Sequence, residues 1–215
     1  MIQPMPAVVL VRQGSMRLKE KWRLSWSNGN LVENAIRQTL ACKHVSKVYV
    51  GSDSEELLGL ITKRFGHGSR ETNSRDKAGF PRTVCVLRPR VPSEQTSLDG
   101  LQFVLEQHGL QASYCLLVQS TFPFLSPLDL DALVEGWHAS GACEGIFLSK
   151  PGEPSKPAGA AWIIHPYLGY GPKSFVPVTS PCIDIDTRED YDAAIAERAR
   201  LEKRNDVRAM DHSRG

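Results

Sequence analysis

The sequence predicts an α/β fold: one three-layer domain around a mainly parallel sheet. Three observations carry that expectation. Short apolar runs alternate with amphipathic stretches of helical period along most of the chain. Serine, threonine and asparagine stand where those stretches begin, and glycine where several end. The 215 residues suffice for one generous core, with no internal repeat and no compositional break that marks a second unit. The domain is expected to span 1–203, with 204–215 a polar, frayed tail.

Ala7–Val11 is continuous and apolar, as a strand buried on both faces should be. A basic loop follows. Asn28-Gly29 signals a turn, and Asn30 with Glu33 forms a capping box for a helix bearing Leu31, Val32, Ala35, Ile36 and Leu40. Val45–Val50 is β-branched and alternating, a second strand. The next helix is capped within Ser52-Asp53-Ser54. It carries Glu55 and Glu56 in its first turn and Lys63 and Arg64 in its last, the order its dipole favours, with Gly66 beyond. Residues 67–82 read as an exposed polar insertion. Its Arg70, Arg75, Lys77 and Arg82 could close over a ligand, against the simpler alternative of a solvated loop.

Thr83–Leu87 reads as a strand. Leu98, Leu101, Val104 and Leu105 mark a helix that stops at Gly109, and Tyr114–Gln119 is a strongly apolar strand. Ser126-Pro127 opens a helix striped by Leu130, Leu133, Val134 and Trp137. Gly145–Ser149, Ala160–Ile164 and a short Cys182–Ile185 complete the predicted strands, and Thr187 to Asp190 cap the last helix.

A net charge of +2 gives no bulk attraction for nucleic acid. No apolar run approaches the roughly 20 residues of a membrane span, and the first residues lack a leader pattern. The odd set Cys42, Cys85, Cys115, Cys143 and Cys182 has no CxxC spacing and reads as reduced thiols. The expected setting is cytoplasmic, with no membrane and no nucleic-acid partner.

In an open α/β sheet, ligands bind beyond the carboxyl ends of the strands. The loop after the first strand gathers Arg12, Arg17, Lys19 and Lys21 around Gly14 and Ser15. Arginine forks, a lysine point charge and a glycine that frees the backbone suit phosphate oxygens. A solvated basic loop is the plain alternative. GxxxxGK[ST] and GxGxxG are both absent, which argues against a P-loop and a dinucleotide oxidoreductase. No G-x-S-x-G surrounds any serine, so a hydrolase triad is not expected, and the six histidines form no metal spacing. Near the other end, Asp184 and Asp186 sit at i and i+2, on one face of a strand. Paired carboxylates beside phosphate suit Mg²⁺; capping or surface acids are the alternative.

These segments together resemble the cytidylyltransferases that activate acidic 2-keto sugars: sialic acid, related nonulosonic acids and KDO. Val8–Lys21 resembles the family's N-terminal nucleotide-binding signature. Val50-Gly51-Ser52-Asp53 resembles its S-[ST]-D ending, and Leu87-Arg88-Pro89 with Ser93, Thr96 and Ser97 its R-P stretch. Leu117–Thr121 stands in the place of L-L-Q-P-T, and Ile183–Asp190 of I-D-I-D-T-x-x-D. The resemblance spans roughly 7–195 and implies a Rossmann-like sheet of the nucleotide-diphospho-sugar transferase type. It implies CTP and an acidic sugar as ligands. Arg12, Gln13, Gly14, Ser15, Arg17, Lys21, Asp53, Arg88 and Ser97 would bind nucleotide, with Arg12, Arg17, Lys21 and Asp186 catalytic. Gln119, Ser120 and Thr121 would meet the substrate, and Asp184 and Asp186 would hold Mg²⁺.

The pattern departs at Met16, where the sialic acid branch carries Lys, at Trp22, where it carries Asn, and at Ala158, which replaces the Asn of P-N-G-A. Lys150–Pro157 is short where that branch has an excursion that builds its dimer, so a homodimer is possible without the usual contact. The alternatives left open are a nucleotidyltransferase with another NTP or acceptor, and a non-catalytic nucleotide-binding descendant.

Overall fold

The computed structural model describes residues 2–15, 17–66, 82–89, 97–110, 114–141, 146–165 and 174–212, of which 154–156 and 205–212 by their backbone alone. In chain order the elements are β1 (Met5–Val11), a 3₁₀ turn (Lys21–Arg23), β2 (Ser25–Trp26), β3 (Gly29–Asn30), α1 (Leu31–Ala41) and β4 (Val45–Ser52). There follow α2 (Glu55–Phe65), β5 (Thr83–Leu87), α3 (Ser97–Glu106), β6 (Cys115–Gln119) and α4 (Pro127–Ala139). Last come β7 (Ile146–Lys150), β8 (Glu153–Ile164), β9 (Ser174–Pro177) and α5 (Arg188–His212).

Seven strands form one sheet in the order β5-β4-β1-β6-β8-β7-β9. β1 pairs in parallel with β4 and β6, and β4 with β5. β8 is antiparallel to both neighbours, while β7 and β9 are again parallel to each other. β8 therefore runs against the other six. The chain first builds outward from β1 through β4 to β5, then returns to lay β6 on the opposite side of β1. The reversal opens a crevice between the carboxyl ends of β1 and β6, the place where such sheets take ligands.

Strand alternation sorts the core. Ala7, Val9 and Val11 face α1, α2 and α4, while Val8 faces α3 through Leu101, Val104 and Leu105. Gly51 lets α3 come close: a Cβ there would stand 2.6 Å from Val104. The expected capping box of Asn30 with Glu33 forms on α1, and Ser126 caps α4 with Asp129 completing a second box. Each such cap is worth about 1 kcal/mol. Ser54 caps α2, and Gly66 ends it. Cys42, Cys85, Cys115 and Cys182 are free thiols, and burial pushes Cys42 and Cys115 up to about 12.

Several expectations need correction. Residues 182–186 form no strand; the last strand of the sheet is β9 at Ser174–Pro177. The predicted Ala160–Ile164 strand is the end of the longer β8, which turns back from β7 at Pro151-Gly152. α5 continues to His212, so a boundary at 203 falls inside a helix. Arg82 closes over no ligand. Its guanidinium donates to the carbonyls of Leu40, Val45 and Ser46, at the opposite edge of the sheet from the crevice. Arg70, Arg75 and Lys77 lie outside the described residues.

Candidate functional site: the crevice between β1 and β6

The basic loop leaves β1 at Val11 and is pinned at few points. The Gln13 N–H donates to Asp53 Oδ1 at 2.8 Å, tying the loop to the end of β4. Ser15 Oγ accepts from the Leu18 N–H at 3.4 Å, a local turn. Gly14 is exposed, and it is not the residue with left-handed backbone; Glu20 is, at φ 51°. The chain then enters the 3₁₀ turn, where Trp22 is buried in the core and anchors the loop's end. Arg23 lies 4.8 Å over the Trp22 ring and reaches Glu56 on α2.

The acidic segment meets this loop directly. Lys21 Nζ donates to Asp186 Oδ1 and to the Ile185 carbonyl, each at 2.8 Å. Arg17 Nη2 stands 2.8 Å from Asp186 Oδ2. The two contacts differ in weight. Lys21 is 16% and Asp186 32% exposed, so theirs is a partly buried, charge-assisted bond of about 1.5–3 kcal/mol. Arg17 is 69% exposed, and its pair is worth about 1 kcal/mol or less.

Asp184 and Asp186 flank the fully buried Ile185, so both turn away from the core although no strand holds them. The Ile185 N–H donates to the Thr121 carbonyl at 2.9 Å, which lays the segment beside the loop after β6. Asp190 Oδ2 accepts from the Asp186 and Thr187 N–H groups and from Thr187 Oγ1. The Asp190 carboxyl is accordingly held below the usual range, chiefly by the bonds from Thr187. Asp184 is pushed the other way. Desolvation raises it most, and the charges of Asp186 and Asp190 add to the rise, against a hydrogen bond from Thr121 and the charge of Lys21. Its side chain keeps substantial solvent contact, so this is crowding at a cleft wall rather than full enclosure.

On the other side of β1, Arg88 is buried at 6% exposed. Its backbone N–H donates to the Ser52 carbonyl and its Nη2 to the Val11 carbonyl. Burial lowers its pKa, with Asp53 opposing and Arg12 adding to that effect. Ser97 is the first residue of α3. A cleft of about 340 Å³ opens there between Arg88, Pro89 and the α3 residues Asp99, Gly100, Gln102, Phe103 and Glu106. Ser93 and Thr96 lie outside the described residues. Gln119 ends β6 beside Leu10, and Ser120 and Thr121 follow it into the crevice, Ser120 buried.

The predicted residues therefore occupy one edge of the sheet. Lys21, Arg17, Asp184, Asp186 and Thr121 are brought together; Gln13 and Asp53 join through the loop; Arg12 lies near Arg88 and Asp53. Sequence alone assigns Asp129 no role, and its Thr179 and Ser180 partners lie 50 and 51 positions away. Among the described residues no group of three His, Cys, Asp or Glu side chains could hold a metal on its own. Among the same residues no helix is long and apolar enough to cross a membrane.

Comparison with known proteins gives a consistent picture. A sequence model described as Cytidylyltransferase matches residues 7–145. No curated protein sequence matches the chain. Among solved structures, CMP:2-keto-3-deoxy-manno-octonic acid synthetase complexed with CTP superposes with a TM-score of 0.62 at 14% identity, covering 92% of this chain and 99% of that one. A putative glucose-1-phosphate thymidylyltransferase from Bacillus anthracis gives 0.64 at 13% identity, over 89% and 94%. The 4-diphosphocytidyl-2C-methyl-D-erythritol synthase of Anaerococcus prevotii gives 0.58 at 14%, over 92% and 99%. At these identities the likeness is one of fold.

Proposed function

Because the chain belongs to the cytidylyltransferase family, we propose that it transfers CMP from CTP to the anomeric hydroxyl of an acidic 2-keto sugar. The sugar would be a sialic acid, a related nonulosonic acid or KDO. The observation that carries this reading is the pair of salt bridges from Lys21 and Arg17 to Asp186, which joins a cationic loop to an acidic segment at the sheet's switch point.

In this reading the hydroxyl oxygen forms a bond to the α-phosphorus while the bond to the β-phosphate bridging oxygen breaks. Pyrophosphate departs, and the hydroxyl proton passes to solvent. Arg12, Ser15, Arg17 and Lys21 bind the phosphates and stabilise the leaving group, a role of positioning and charge. Arg88 and Ser97 bound the nucleoside side, and Gln119, Ser120 and Thr121 the acceptor side. Asp184 and Asp186 fit a Mg²⁺ ion. They are two carboxylate donors beside the proposed phosphate site, and Mg²⁺ favours such a set completed by phosphate and water. When bound, Mg²⁺ would neutralise charge on the α-phosphate. Arg17, exposed and weakly paired, can leave Asp186 for a phosphate; Lys21, held at two points, keeps the segment against the loop.

Pyrophosphate release tests the reading. CTP, UTP and GTP would be offered with sialic acid, KDO and pseudaminic acid, with and without Mg²⁺. A further arm would pair dTTP with glucose 1-phosphate. Release with CTP and one acidic sugar is expected. Release confined to the dTTP arm would overturn the reading. No release in any arm, with thermal stabilisation by nucleotide, would point to a binding protein.

A further inference from the structure

The chemistry above makes no use of Asp129, the most deeply buried carboxylate among the described residues at 1% exposed. Its Oδ2 accepts from the Ser126 N–H at 3.1 Å, from Ser126 Oγ at 2.6 Å and from Ser180 Oγ at 2.5 Å. Its Oδ1 accepts from the Thr179 N–H at 2.8 Å and from Thr179 Oγ1 at 2.7 Å. Among the described residues it forms no ion pair. A buried carboxylate without a cation is costly unless its oxygens are saturated, and these are. Burial pushes the carboxyl up, but the bonds from Ser126, Ser180 and Thr179 outweigh it and leave the group below its ordinary range.

A helix cap accounts for two of these five bonds. The bonds to Ser126 belong to the capping box. Those to Thr179 and Ser180 do nothing for α4; they fasten the chain that leads from β9 to Asp184 and Asp186. That chain has no strand to hold it. Val178 N–H reaches the Ser149 carbonyl, Ile185 N–H reaches the Thr121 carbonyl, and Asp129 holds the stretch between. Ser126 in turn ends the loop that begins at Gln119. The contacts close a ring: Asp129 to Ser126, along the loop to Thr121, across to Ile185, and back through Ser180 to Asp129.

We propose that Asp129 is a positioning residue that fixes the distance between the Gln119–Thr121 loop and the Asp184–Asp186 segment. Its catalytic consequence rests on the function proposed above; the structural coupling does not. The ring places acceptor-side residues and the acidic pair on one rigid frame, and misplacement on the ångström scale can cost about 10²-fold in rate.

The test removes the donors and leaves the carboxylate and helix cap untouched. In Thr179→Val with Ser180→Ala, amide hydrogen exchange at Ile185 should quicken by about 10-fold or more, while Leu133 and Val134 in α4 keep their protection. Turnover should fall by about 10- to 100-fold, more than the KM for CTP rises, because the basic loop meets the ring through the Lys21 bond to the Ile185 carbonyl. Ser126→Ala should instead loosen the start of α4. Unchanged exchange at Ile185 in the double variant overturns the proposal, as does a rise shared equally by α4. Exchange needs no substrate. Faster exchange at Ile185 in a chain whose native form releases no pyrophosphate would therefore uphold the coupling and fail only the proposed reaction.

Discussion

The two walls of the crevice are built differently. The cationic wall is a loop of long side chains hung from the end of a central strand. Arg12 and Arg17 are exposed, and the loop's backbone is tied to the rest of the fold chiefly through Gln13 and Asp53. The acidic wall also lacks regular structure, yet almost every part of it is bonded. Thr121 holds Ile185, Asp190 holds the turn after Asp186, Asp129 holds the approach, and Lys21 spans the gap. The difference matches the tasks proposed for the two walls. Cations that follow a triphosphate from its bound to its departing form gain from reach. Carboxylates that share a small, geometrically strict ion gain from being fixed beforehand.

The contrast breaks most severely at Asp186, the residue both walls share. Asp186→Asn keeps the shape and removes the charge. Turnover should drop by about 10²-fold or more, with a rise in the Mg²⁺ concentration required, read as pyrophosphate release across a metal titration. Full activity would remove Asp186 from the site while leaving the fold intact.

Lys21→Met comes next. It keeps the apolar stem but leaves the Ile185 carbonyl and one Asp186 oxygen without their donor. Removing one donor to developing charge costs about 10²-fold in rate. Because Lys21 is largely buried and bonded twice, thermal stability should fall as well, by about 1–3 kcal/mol. Arg17→Ala should be milder: about 10-fold weaker CTP binding and slower turnover, with the melting temperature almost unchanged, since its ion pair is exposed. A loss of stability at Arg17 as large as at Lys21 would erase the distinction between the residue that braces and the one that reaches.

What the sequence made legible follows the same divide. The capping box of α1, the Ser126-Pro127 start of α4, the strands β1, β4, β5 and β6, and the basic loop were all readable, because each depends on residues a few positions apart. The acidic pair was readable as a pair, but its support was not. Cys182–Ile185 looks like a strand because apolar residues alternate there; in the fold it joins no sheet and is held by one backbone bond to Thr121 and by side chains on either side. β9 is only Ser174–Pro177, too short and too weakly patterned to stand out. α5 beyond Arg204 has only Val207, Ala209 and Met210 as apolar residues, too few to give a helical stripe, so periodicity gives no signal there. Asp129 shows only its cap in the sequence, because Thr179 and Ser180 reach it through the tertiary fold.

The smallest expected effect contrasts two carboxylates of the same wall. Asp129 sits below its ordinary range in the folded state, so its stabilisation is present above an unfolded value of about 3.9 and is lost as pH falls through the lower folded value. Asp184 has the opposite sign. Its folded value is raised, so its contribution is complete below about 3.9 and is lost as pH rises through the folded value. At neutral pH and without metal, Asp184 is thus a charge held at some cost, of the kind a binding site keeps for its ligand. Asp184→Asn should raise the melting temperature slightly in metal-free buffer at pH 7, by an amount worth about 1 kcal/mol or less given its solvent contact. The gain should vanish when the scan is repeated near pH 3, where native Asp184 is protonated. A variant less stable than the native chain at pH 7 would mean that the Thr121 bond outweighs the crowding and that Asp184, like Asp129, is there to hold the wall together.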